Sequence, residues 1–179
     1  YEGTGGVQVE SFFRKLLLSM RFQSLDILLS EYITNESRIL YYREIRGRVQ
    51  RALPFLSWDD DPYLIISEDG HLKWMLDAFT TGYRYPYSRP IGNGANYMRN
   101  SVKVVVDAYD GDLKAYVVDP DDPIVQTYGK IFPGIFLPLA EMPADLRAHI
   151  RYPQDLFEIQ TDLHTIYHMT DPDVFYHRE

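Results

Sequence analysis

Runs of aspartate are the first residues in this chain whose types could do chemistry. Asp59, Asp60 and Asp61, and residues 119–122, supply the carboxylate oxygens that Ca²⁺ and Mg²⁺ prefer as ligands. Neither run, nor residues 107–112, has the alternate acidic positions, central glycine and closing glutamate of an EF-hand loop. Because aspartate beside proline or glycine is typical of turns and helix caps, we expect structural roles for these carboxylates.

Two histidines, His164 and His168, stand four residues apart, with Asp171, Asp173 and His177 close behind them. Histidines at this spacing share one face of a helix and can hold a metal ion together. The glutamate that completes a zinc-protease motif is absent between them. We therefore expect an aromatic-rich surface helix, no metal site and no cofactor.

Familiar nucleophiles are also missing from the sequence. The chain has no cysteine, which excludes disulfides, thiolate metal sites and cysteine nucleophiles. No serine stands in the Gly-x-Ser-x-Gly arrangement that exposes a nucleophile on a strand-to-helix turn. We accordingly predict no catalytic residue.

Charge is distributed unevenly along the chain. The formal net charge is −8, yet residues 78–106 contain no acidic residue and residues 38–51 hold five arginines against one glutamate. An acidic chain is unsuited to general nucleic-acid binding, which needs cationic residues to replace phosphate counterions. If the fold brings the two basic stretches together, they form a positive face that suits small or tethered anions.

The segment 80–99 combines arginine with a high density of tyrosine and shows no regular period. Long irregular loops are usually functional, arginine forks bind phosphate or carboxylate, and tyrosine supplies flat contact area. We therefore predict a ligand-binding surface formed by Tyr83, Arg84, Tyr85, Tyr87, Arg89, Tyr97 and Arg99. The alternative is a loop packed over the sheet, its arginines paired with nearby carboxylates.

Two Asp-Gly dipeptides indicate the strands that position this segment. Asp69-Gly70 separates β-rich runs at 63–67 and 72–79, and Asp110-Gly111 separates similar runs at 102–109 and 113–118. Asp-Gly between such runs is a strong hairpin signal. We predict two hairpins within one antiparallel sheet.

Helices are predicted on both sides of the strands. The apolar spacing predicts one or two helices within 9–30, and another with apolar positions from Ile39 to Ala52, capped by residues 34–37 and ended by Pro54. Later helices are predicted at 123–130, with Asp122 as N-cap and Pro123 in first position, at 144–150 and at 155–168. The predicted fold class is α+β: an antiparallel sheet flanked by N-terminal and C-terminal helices in a single domain, 1–179.

Long, unusual strings of residues run nearly from end to end. The most distinctive is Arg-Asn-Ser-Val-Lys-Val-Val-Val-Asp-Ala-Tyr at 99–109, and others lie at 37–43, 61–64, 85–88 and 141–147. In these strings the chain resembles a bacterial and cyanobacterial group, uncharacterised protein family 0182. The resemblance implies a long parent in the bacterial cell membrane, anchored by transmembrane helices outside this chain. It implies that this chain is part of a soluble, extracytoplasmic region, and it implies no activity.

Two classes of function are compatible with the sequence. The first is a non-catalytic binding or assembly domain of an envelope protein, which contacts anionic lipid head groups or acidic glycans, or neighbouring parts of its parent chain. The second is an enzyme acting on envelope glycan or lipid, with two aspartates as acid and base at about 5 Å or about 6.5–9.5 Å. A cleft with two close carboxylates, one of them buried, favours the enzyme, whereas a grooved Tyr/Arg face favours binding.

Overall fold

A six-stranded sheet forms the centre of the protein in the computed structural model, which describes residues 3–92 and 94–177. A separate two-stranded ladder joins β1 (Val7–Gln8) to β2 (Arg38–Ile39). The strands of the main sheet are β3 (Ser57–Trp58), β4 (Tyr63–Ile66), β5 (Leu72–Gly82), β6 (Tyr97–Asp107), β7 (Leu113–Val117) and β8 (Phe136–Pro138). Their order is β3-β5-β6-β7-β8, and β4 pairs with β5 on the same edge as β3.

Both predicted hairpins are present and lie in this one sheet, which confirms the α+β prediction. β4 pairs with β5 around Gly70, β6 pairs with β7 around Gly111, and β5 pairs with β6 between them, all antiparallel. Gly70 and Gly111 have φ of +80° and +78°. These left-handed conformations explain why each turn contains glycine.

The central strands are longer than the sequence pattern predicted. Residues 80–82 and 97–99 continue the β5–β6 ladder beyond a bulge between Ala78 and Thr80, so this part of the predicted irregular loop is strand. The sheet is also mixed, because β8 pairs with β7 in parallel. A three-residue strand beginning at Phe136 and ending at a proline carries too short a pattern to be distinguished from a loop.

The helices are α1 (Phe12–Phe22), α2 (Asp26–Leu29), α3 (Ile45–Ala52), α4 (Pro123–Ile131), α5 (Ala144–Ala148), α6 (Gln154–Tyr167) and α7 (Pro172–His177). The predicted start of the third helix near Ile39 is wrong, because Arg38 and Ile39 are used in pairing with β1. α3 begins instead after Glu44, whose carboxylate accepts the Arg46 and Gly47 N–H groups. The prediction for α4 is confirmed, with Asp122 as N-cap and Pro123 in first position.

The sheet has an apolar layer on each face. On the first face Val102, Val104 and Val106 pack with Val49 of α3 and Val125 of α4. On the second face Met75, Val105 and Tyr116 pack with Tyr63 and with Leu146 of α5. Residues alternate between faces along β5 and β6, so the two long strands belong to both layers and fix the positions of the loops at their ends.

Candidate binding surfaces

The tip loop, described over residues 83–92 and 94–96, lies between the ends of β5 and β6. Asn96 holds it, because its side-chain oxygen accepts the Tyr85 N–H at 3.0 Å and its amide donates to the Tyr85 carbonyl at 2.8 Å. The rings of Tyr85 and Tyr97 stack with centroids 5.5 Å apart. These contacts order part of the segment that the sequence indicated as irregular, and they bring two of the predicted tyrosines together.

An open groove of about 450 Å³ lies between the tip loop and the start of α4. It is lined by Gly82, Tyr83, Arg84, Tyr85, Pro86, Tyr97, Pro123 and Ile124. Four of the seven predicted site residues therefore share one surface. Pro86, Pro123 and Ile124 make this surface largely apolar. Such a groove is suited to an apolar or aromatic contact more than to a free anion.

The remaining predicted residues lie outside the groove. Tyr87 is fully exposed and has φ of +57°, a left-handed conformation that is uncommon for a bulky side chain. Arg89 is exposed, as is Arg84 in the groove, and no described carboxylate lies within 4.0 Å of either guanidinium. Arg99 differs, because it donates to Asp119 at 3.0 Å and lies 5.7 Å from the Tyr97 ring centroid.

Asp122 anchors this end of the sheet from within the protein. Its buried carboxylate accepts hydrogen bonds from the hydroxyls of Thr80 and Ser101 and from the Ile124 N–H. Burial raises the pKa of Asp122, but the Ser101 and Thr80 hydroxyls and the backbone N–H groups outweigh it, so the pKa is below 3.8. Burial, followed by the nearby Asp122 charge, raises the pKa of Tyr97, so its hydroxyl stays protonated.

The two basic stretches do not form one face. Arg84 is at the tip end of the β5–β6 ladder, whereas Arg48 contacts Gly111 in the turn at the opposite end. The ten residue steps from Tyr97 to Asp107 correspond to roughly 30 Å of strand. The condition for a single positive face is therefore not met, and the two basic stretches contribute to two separate candidate sites.

The second site, the arginine cleft, lies at the far end of the ladder and has a volume of about 610 Å³. Its arginines are Arg43, Arg48 and Arg51, and its aromatic side chains are Tyr41, Tyr42, Trp74 and Tyr109. The sequence analysis identified the arginine-rich stretch but not the cleft. The other wall comes from the β6–β7 turn, more than sixty residues away along the chain.

One pair of close carboxylates fits part of the enzyme hypothesis. Asp59 is buried and accepts the Asp155 N–H at 3.0 Å, and Asp155 accepts the Asp60 N–H at 3.2 Å. Burial raises the pKa of both carboxyls, and their mutual repulsion adds to the increase for Asp155. Neither residue lines the groove or the cleft, so the contacts join α6 to the sheet and do not face a described cavity.

Sequence reasoning missed a buried ion pair on the second face of the sheet. Lys103 donates to Asp77 directly across the β5–β6 ladder, and both side chains are less than 5% exposed. Lys103 also donates to the Arg151 carbonyl at 3.0 Å, and Asn100 donates to Asp77 at 2.8 Å. The detectable signal was that Asp77 and Lys103 each stand between two apolar neighbours within a strand, because charges in such positions are rarely buried unpaired.

The histidines occupy exposed positions at the end of α6. The rings of His164 and His168 lie 5.4 Å apart, and His168 Nδ1 is 2.8 Å from the His164 carbonyl oxygen. Within residues 3–92 and 94–177, no group of three or more histidine and acidic side chains is arranged to hold a metal ion. Over the same residues, no helix has the length and apolar character required to span a bilayer.

The structure has an α+β fold with a grooved aromatic tip and a separate arginine cleft. The chain belongs to the uncharacterised protein family UPF0182, whose profile matches residues 1–179. It is 53% identical to a UPF0182 protein of Desulforamulus reducens and 54% identical to relatives from Pelobacter propionicus and Geobacter sulfurreducens. Each match covers the whole chain but only 19–20% of the relative, so the chain spans about a fifth of their length. No solved structure matches it.

Proposed function

We propose that this chain is a non-catalytic binding domain that contacts another segment of a longer protein through its tip groove. The observation that carries the proposal is the groove itself, in which exposed tyrosines, Arg84 and two prolines surround an apolar depression of about 450 Å³. Tyrosine and arginine are the residues that most often dominate the binding energy of protein interfaces.

The composition of the groove favours a polypeptide over a free anion. Pro86, Pro123 and Ile124 offer no charge to an anion, and the charge of Arg99 is already compensated by Asp119. The relatives are about five times as long as this chain, so a longer protein of this family supplies many candidate segments. We further propose that the longer protein is membrane-anchored, with this region outside the cytoplasm.

Photo-crosslinking in the full-length protein tests this function. A benzoyl-phenylalanine placed at Tyr85 should crosslink, after irradiation of cells, to a peptide of the same protein outside residues 1–179. The matched control is Tyr152, which is 58% exposed against 56% for Tyr85 and adjoins Arg151, whose carbonyl contacts Lys103 on the second face. No crosslink at position 85, crosslinks only to other proteins, or equal crosslinking from both positions would refute the proposed contact.

Anionic envelope material is the second candidate partner, because Arg84 and Arg89 are exposed without a described carboxylate nearby. Lipid head groups or acidic glycans would then bind at the rim of the tip. Sedimentation with vesicles containing anionic lipid at low salt tests it: R84A/R89A should weaken binding, and 0.1 M salt should weaken the unchanged protein, because the screening length is then about 10 Å. Equal binding by both proteins would exclude this partner.

A further inference from the structure

We propose that the arginine cleft is a binding site for a small organic phosphate, a phosphomonoester attached to a flat or apolar ring. The site is at the opposite end of the β5–β6 ladder from the tip, and the inference does not depend on the proposed function.

Two arginines of the cleft have no carboxylate partner among the described residues. No described carboxylate lies within 4.0 Å of Arg43 or Arg51. The acids that also line the cleft are already engaged, because Asp107 pairs with Lys73 at 2.5 Å and Asp110 accepts the Thr4 N–H at 2.9 Å. Two uncompensated guanidiniums match the charge of a phosphomonoester, which is about −1.5 to −2 at neutral pH. Arginine forks also bind phosphate oxygens in pairs.

The remainder of the lining indicates what the phosphate is attached to. Around the arginines lie four aromatic side chains, Tyr41, Tyr42, Trp74 and Tyr109, and the apolar side chains of Ile45, Val106 and Leu113. A volume of about 610 Å³ is within the usual range for small-molecule sites, and far exceeds what an inorganic ion requires. A ring that contacts these side chains therefore adds to the binding energy of the phosphate.

The walls of the cleft are held in place before any ligand binds. Arg48 Nε donates to the Gly111 carbonyl at 2.9 Å, and an Arg48 terminal nitrogen donates to the Tyr42 carbonyl at 3.3 Å, which ties both walls to α3. Tyr42 has φ of +54°, and its ring supports the Arg51 guanidinium at 4.3 Å. Preorganised walls reduce the conformational entropy that binding would otherwise cost.

Tryptophan fluorescence provides a direct measurement, because Trp74 lines the cleft and Trp58 does not. In the W58F variant of residues 1–179, Trp74 is the single tryptophan. The change should be tolerated, because Trp58 Nε1 is buried without a hydrogen-bond partner among the described residues. Titration with phenyl phosphate should change the Trp74 emission saturably, and inorganic phosphate and phenol should each bind at least about tenfold more weakly.

Charge-removing variants then test the assignment. R43Q/R51Q in the W58F background should weaken phenyl phosphate binding by about tenfold or more, whereas R84A/R89A at the tip should leave it unchanged. Equal weakening by both pairs would show general charge attraction and overturn the proposal. Unchanged binding by R43Q/R51Q, or binding of phenol as tight as that of phenyl phosphate, would overturn it too.

A measurement on the unsubstituted protein covers the case in which R43Q/R51Q does not fold. In an NMR titration with phenyl phosphate, the amide shifts should move within residues 41–52 and 106–113. Shifts concentrated at the tip loop, or spread over the whole chain, would refute a site in the cleft.

Discussion

Two buried or partly buried aspartates have opposite effects on stability, although both lie near the start of a helix. Asp122 accepts hydrogen bonds from two hydroxyls, and its pKa is lowered below 3.8. Asp155 lies beside the Asp59 carboxylate, and burial together with that neighbour raises its pKa above 3.8. At neutral pH the ionised form is therefore favoured by folding at Asp122 and disfavoured at Asp155.

For D122N we predict a loss of about 2–3 kcal/mol at pH 7, because an amide nitrogen cannot accept the hydrogen bonds that the second carboxylate oxygen receives. A lowered native pKa gives stability that is present above pH 3.8 and is lost as the pH falls through the native value. The difference between D122N and the unchanged protein should therefore shrink towards pH 3. Urea unfolding at pH 7 and pH 3 measures it, and an equal loss at both values would contradict the prediction.

For D155N we predict the opposite sign at pH 7, a rise in Tm of about 1–3 °C. The raised native pKa means that ionisation of Asp155 at neutral pH costs stability, and asparagine removes that charge while its oxygen still accepts the Asp60 N–H. Below pH 3.8 the native carboxyl is itself protonated, so the gain should disappear. Thermal melts at the two pH values test this, and a large drop in Tm at pH 7 would show that the negative charge is required at the start of α6.

At the level of elements, the two Asp-Gly turns look alike in sequence but differ in their surroundings. A Cβ added at Gly70 meets nothing within 4 Å, whereas one added at Gly111 would overlap the Arg48 guanidinium. Both glycines have positive φ, so both resist substitution for conformational reasons. Only Gly111 also permits the close approach that joins α3 to the β6–β7 turn.

G70A and G111A therefore form a matched pair. We predict that G70A costs about 1–2 kcal/mol from backbone strain alone. G111A should cost about 1–2 kcal/mol more, because Arg48 must move away and its hydrogen bond to the Gly111 carbonyl is lost. Urea unfolding of the two variants gives the difference directly. Equal costs would mean that Arg48 can rearrange freely and does not brace the cleft.

The elements that sequence reasoning found are those with local signals. Asp-Gly turns, the Asp122-Pro123 cap and the apolar period of α1 each depend on a few adjacent residues. The errors depend on distant partners: Arg38 and Ile39 form a strand only because Val7 and Gln8 pair with them, and β8 depends on β7. The same difference applies to the candidate site. The tyrosines of the groove were predicted from adjacent residues in the sequence, whereas Pro123 and Ile124 line the groove only because the fold brings α4 beside the tip loop.

At the level of the whole molecule, α1 leaves much of its apolar surface uncovered. Phe12, Phe13 and Met20 are each between 64% and 71% exposed, and Leu25 and Leu29 next to α1 are similarly exposed. Large exposed apolar patches are uncommon on monomeric proteins and promote association. The domain boundary 1–179 remains a prediction, because burial within this chain does not define where a longer family member is divided.

We predict that F12Q/F13Q/M20Q reduces self-association of the isolated chain without lowering its Tm by more than about 2 °C, because exposed side chains contribute little to folding. Sedimentation velocity over a range of concentrations and a thermal melt measure both quantities. The control is F55Q, since Phe55 stacks on Tyr128 with ring centroids 4.0 Å apart and its loss should lower the Tm clearly. A large drop in Tm for the triple variant would show that these side chains are packed in solution.

The long β5–β6 ladder has a mechanical consequence. Its register is fixed because a slip of β5 by one residue along β6 would move Met75 from the second face to the first and bring Leu76 to the second. Because the ladder cannot slip, the tip groove and the arginine cleft stay at a constant separation of roughly 30 Å. A partner bound at the tip groove would therefore be held at a fixed distance from a ligand bound in the arginine cleft, so the ladder would act as a molecular ruler.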